Sequence, residues 1–171
     1  MTVRLPAAEA LRRAKRPRSP LAGPYGHPFH ATAVTIPIGA WTAALVFDLI
    51  SFFVDDPEPF VIGARVLLII GIAGAAAASV LGFLDFLTLE RGTDARRTAL
   101  AHVGFNLAAL VLFVVSAVLR FGTPDDINVA AFVIALVAFA GIGVSGWLGG
   151  ELAYRHGVRV ADESTQIDAF R

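Results

Sequence analysis

Four long apolar stretches separated by short polar connectors dominate this chain, over residues 28–54, 60–89, 99–121 and 128–154. A hydrocarbon core of about 30 Å needs about 20 helical residues, so each stretch is long enough to cross a bilayer as a helix. The connectors are Asp55-Asp56-Pro57-Glu58-Pro59, residues 90–98 and residues 122–127. Links this short join antiparallel neighbours. The apolar runs do not alternate with polar residues, as barrel strands would. The expected fold is an all-α integral membrane protein, an antiparallel four-transmembrane-helix bundle over residues 27–157. Residues 1–26, rich in Arg, Pro and Ala, are expected to be a disordered basic arm, and residues 158–171 a loose polar tail. A cleaved signal peptide is a poor fit, because the apolar run after the arm far exceeds an h-region.

Composition agrees. Of the 171 residues, 56% are hydrophobic and 16% charged, outside the range of ordinary soluble domains. Net charge is zero, so nothing points to nucleic acid, and the placement of charge matters more than its sum. Twelve of the fourteen basic residues lie in the arm, the second connector and the tail, while the first and third connectors are acidic. With four alternating spans these basic segments share one side, which predicts an inner-membrane protein with both termini cytoplasmic. The arm is expected to touch anionic lipid as well. The chain has no cysteine, which removes disulfides, thiolate metal sites, iron–sulfur ligation and cysteine nucleophiles.

Small residues crowd the second and fourth spans, at Gly71, Gly74 and Ala75 to Ala78, then Gly141, Gly143, Gly146, Gly149 and Gly150. Such faces let helices approach closely in lipid and fit a homo-oligomer as well as a bundle. Residues 141–146 match G-x-G-x-x-G, yet they sit inside an apolar helix rather than between a strand and a helix, so packing explains them. Pro37 deprives the carbonyl of Ala33 of its helical partner and predicts a kink.

The candidate chemistry lies in one layer. His27 and His30 open the first span, His102 lies about one turn inside the third and His156 just beyond the fourth. Asp85 and Glu151 lie about one turn before the ends of the second and fourth spans. Ionisable groups in a membrane are costly and usually face the bundle interior for a functional reason. Three readings stand. His30 and His102, on diagonal helices, ligate a haem b iron, with His27 and His156 as further candidates. Alternatively His30, His102, Asp85 and Glu151 bind iron, zinc or manganese. In the third, these residues cap helices, pair with Arg96, Arg97 or Arg155 and meet lipid headgroups. Asp48 lies about 27 Å along the helix from His30, outside this layer, and is expected to pair with Arg65 at similar depth.

Gly26-His27-Pro28-Phe29-His30, Ile36-Pro37-Ile38-Gly39-Ala40-Trp41 and Phe47-Asp48 resemble a bacterial membrane family known as domain of unknown function 2231. The likeness continues through Asp85, Arg91-Gly92-Thr93, Ala95-Arg96-Arg97, His102 and Asn106, then Gly146 to Leu152 and Tyr154 to Gly157. It covers roughly residues 26 to 160. Some relatives are joined to Rieske-type ferredoxin domains, so the resemblance implies electron transfer. A chain without cysteine would take its electrons from, or give them to, a separate redox protein. The leading expectation is therefore a haem- or metal-binding electron carrier in the bilayer, not an enzyme by itself. A non-redox membrane scaffold with structural histidines, or a small proton-coupled transporter using Asp48, Asp85 and Glu151, are the alternatives.

Overall fold

The computed structural model describes residues 5–171. Arg4, part of the basic arm, lies outside the described residues. Four helical spans cross the expected core: Phe29–Ser51, Glu58–Phe86, Asp94–Phe121 and Val129–Arg155. No strand occurs among the described residues. In chain order the helices are α1 (Ala7–Lys15), α2 (Phe29–Ala33), α3 (Thr35–Ser51), α4 (Glu58–Phe86), α5 (Asp94–Phe121), α6 (Val129–Gly150) and α7 (Glu163–Asp168). A π-helical turn, Glu151–Arg155, continues α6.

Local chemistry sets the ends of these helices. The break between α2 and α3 at Val34 makes the first span a bent helix, and it falls one turn before Pro37, whose ring nitrogen has no hydrogen to give Ala33. The Thr93 side chain accepts from the backbone of Arg96 to start α5, and Asn128 accepts from Ala131 at 2.9 Å to start α6, each satisfying an orphan amide of the first turn. The G-x-G-x-x-G run lies wholly inside α6.

The packing is the reverse of a soluble core. Ala40, Ala44, Ala64, Ala109, Ala135 and Ala138 are buried, whereas Ile36, Leu49, Ile69, Val80, Val111 and Val118 face outward. Lipid solvates large aliphatic side chains as well as a core does, so association depends on close fit. Along α4 the glycines accept side chains from the first span. A Cβ on Gly71 would stand 2.2 Å from the Trp41 indole, and one on Gly82 2.9 Å from the His30 ring. The small-residue faces thus serve as sockets in α4. Gly143 and Gly146 of α6 instead face open space.

Two antiparallel hairpins, α2–α3–α4 and α5–α6, form the bundle, and α3 faces α5 across its centre. Three pairs line this seam: His30 with His102, Trp41 with Phe113, and Asp48 with Arg120. Each pair is separated by the same 72 positions in the chain (30 to 102, 41 to 113, 48 to 120). The first and third spans therefore run parallel and in register along the seam, and each of these residues meets its counterpart 72 positions on.

The termini differ from the expected loose segments. Helix α1 buries Ala14 against Leu89 and Ala99, and Arg13 donates to the carbonyl of Leu87 at 3.2 Å. Its acidic residue lies in the first turn and its basic residues in the last, the polarity that a helix dipole favours. Lys15 donates to the carbonyl of Ala161, and Arg16 pairs with Asp162 at 3.1 Å while stacking on Tyr25. Composition alone marks both segments as too polar to fold. Their order comes from docking on the bundle and on each other.

Candidate functional site

The bend of the first span carries His30 into the bundle, where its ring lies in the socket at Gly82. Its Nδ1 is 2.9 Å from the carbonyl oxygen of Ala78. A carbonyl only accepts, so Nδ1 carries the hydrogen and donates it. His102 on α5 repeats the arrangement on the other hairpin, with Nδ1 2.8 Å from the carbonyl of Ser145 and the ring beside Gly149. The spacing from the accepting carbonyl to the glycine is four residues in both hairpins, 78 to 82 and 145 to 149. The ring centres are 6.3 Å apart with planes at 88°.

Hydrogen bonding at the two rings is unequal. The Asn106 amide nitrogen lies 3.2 Å from Nε2 of His102 and also contacts Ser145 Oγ and the His102 carbonyl. The position equivalent to Asn106, four residues after His30, is Val34, which has no group to offer.

The other residues expected in this layer are dispersed. Asp85 is buried and faces Arg159, Oδ1 to Nε at 2.9 Å. Glu151 bonds Arg155 one turn along at 2.7 Å, beside an outward groove lined by Trp147, Gly150 and Tyr154. His156 approaches Thr98 Oγ1 at 3.3 Å, and His27 is exposed beside the carbonyl of Tyr25. Among the described residues no three of His, Asp and Glu gather at metal-ligating geometry. The layer therefore reduces to two facing imidazoles, with neither carboxylate joining them.

The expected Asp48–Arg65 pair is not formed. Asp48 accepts two bonds from Arg120, at 2.5 and 2.7 Å, with both residues buried. Arg65 points outward, donating to the carbonyl of Pro124 at 2.9 Å and lying over the Phe121 ring. Depth alone does not choose between these arginines, but the seam does: Arg120 lies on the same face of α5 as Phe113, seven residues before it, and His102, eleven residues before Phe113. The Ser116 hydroxyl, one turn before Arg120, donates to the carbonyl of Ala131 at 2.7 Å and completes this polar layer.

Between the two polar layers Trp41 and Phe113 stack with centroids 3.9 Å apart and planes at 15°, and the indole donates to the carbonyl of Leu68 at 3.3 Å. The axis of the bundle thus reads as polar, aromatic, then imidazole. Sequence reasoning missed Arg120, Arg159 and Ser145 as members of these layers.

The chain belongs to the family described as predicted membrane protein (DUF2231), whose model matches residues 26–162. That range holds all four spans and Arg159. No curated protein and no solved structure matches the chain.

Proposed function

We propose that this bundle is an inner-membrane electron carrier that holds haem b between His30 and His102, with both termini in the cytoplasm. The supporting observation is the pair of imidazoles that meet at the seam of the first and third spans, each with its Nδ1 hydrogen given to a helix carbonyl. That donation orients a ligating imidazole and directs the lone pair to Nε2. Two imidazoles that share one metal through nitrogens at about 2.0 Å have ring centres on the order of 6 Å apart, in keeping with the observed separation. A bound haem would supply a one-electron iron couple, and His30 and His102 would hold it through their Nε2 nitrogens. Ligation at His102 requires the Asn106 amide to give up its contact with Nε2. A non-haem iron, zinc or manganese site has less support, because Asp85 and Glu151 each already face an arginine. The redox partner is a separate protein, since this chain has no thiolates for a cluster.

One observation favours a second reading, a non-redox scaffold. Both rings bond the backbone of the neighbouring helix in their own hairpin and fill sockets at Gly82 and Gly149, so they also suit the role of struts. A spectrum separates the two. Protein purified in detergent from haem-replete cells should show a Soret band that shifts on reduction with dithionite, and H30A and H102A should each abolish it. A colourless wild-type protein whose H30A and H102A variants melt at lower temperature supports the struts and overturns the haem reading.

A further inference from the structure

We propose that the two terminal segments form a lid over the histidine end of the bundle, latched by Arg159 on Asp85. Arg159 is 4% exposed and ties three parts of the chain together. Its Nε faces Asp85 of α4 at 2.9 Å. Its Nη2 donates to the carbonyls of Ala22 and Gly23, at 2.8 and 3.1 Å, in the loop that precedes α2. Its backbone nitrogen donates to Ala14 of α1 at 3.0 Å.

Two features mark this contact as a latch rather than ordinary packing. Arg159 is the only described non-glycine residue with positive φ, at 62°, a conformation that persists only where the surroundings over-determine it. Its Nε and Nη1, and Asp85 Oδ1, are buried without a hydrogen-bond partner, so the guanidinium is held by its charge on Asp85 at 2.9 Å and by the hydrogen bonds of Nη2 alone. A buried cation that loses its carboxylate is strongly destabilised. Neutralising Asp85 therefore drives Arg159 toward water and releases the loop and α1 with it.

What the lid covers follows from α4. Asp85 lies three residues beyond Gly82, on the same face, and Gly82 is the socket of the His30 ring. The other ties are exposed or partly exposed, such as Arg16 with Asp162, and contribute little to closure. The apolar part of the contact is small, with Ala14 against Leu89 and Ala99.

The absence of native cysteine makes the test direct. Ala22, 1% exposed in the lid, and Ala99, 4% exposed beneath it, are replaced separately in the full chain as A22C and A99C. Labelling by a water-soluble maleimide in detergent is then timed, with A8C as an exposed reference. The latch predicts slow labelling of A22C and A99C, and rates at least tenfold higher when either R159A or D85N is added, with A8C unchanged. Trypsin should cut after Arg13 or Lys15 correspondingly faster. If R159A does not accumulate as a monodisperse protein, D85N, which keeps every residue of the tail, decides the outcome. Unchanged labelling and cleavage in D85N overturn the proposal.

Discussion

His30 and His102 stand 72 residues apart in the chain, and their rings are centred 6.3 Å apart, each donating its Nδ1 hydrogen to a carbonyl of the next helix in its own hairpin. The same register joins Trp41 to Phe113 and Asp48 to Arg120, so one geometric relation between the hairpins organises the whole axis.

The Asp48–Arg120 pair is buried and bidentate, so removing one partner strands the other. D48A and R120A are each expected to cost about 3–5 kcal/mol, read as loss of thermal stability in detergent. The double variant should cost clearly less than the two singles together. R65A should cost under about 1 kcal/mol, because its partners lie at the surface.

The sockets of α4 make glycine positions unequal. G71A pushes a methyl group into the Trp41 indole and should cost about 1–3 kcal/mol as overpacking. G143A and G146A, where nothing lies within 4 Å of the added carbon, should melt within about 0.5 kcal/mol of the parent. Thermal melts of the three variants in one detergent make the comparison.

Trp41 and Phe113 fill the middle of the bundle, and both are almost wholly buried. W41A should cost about 3–5 kcal/mol, and W41F substantially less, because it keeps the stacked ring and loses the bond to Leu68. Equal melting of W41A and W41F would show that the stack contributes nothing.

Orientation is tested on intact cells. With both termini in the cytoplasm, D56C in the first connector should react with an impermeant maleimide from outside. E163C in α7 should react only after permeabilisation.

The four spans were legible in the sequence because length and hydropathy suffice for a helix in lipid. The pairing of His30 with His102 was legible too, from alternation of spans and diagonal placement. The partner of Asp48 was not: depth offered Arg65, and selecting Arg120 needs the register of α5 against α3. That register repeats positions rather than residue types, with Trp opposite Phe and Asp opposite Arg, so comparison of the two halves by identity passes over it. The order of α1 was hidden for another reason. Its partners, Ala161 and Asp162, lie nearly the whole chain away, and composition carries no trace of such contacts.

The most direct test of the account is the reduced-minus-oxidised absorbance spectrum of detergent-purified protein from haem-replete cells, recorded beside H30A and H102A. A Soret band and a reduction-dependent visible band in the parent, absent from both variants, is the expected result. A parent spectrum with no such bands, or bands that survive both substitutions, contradicts a haem held by this histidine pair.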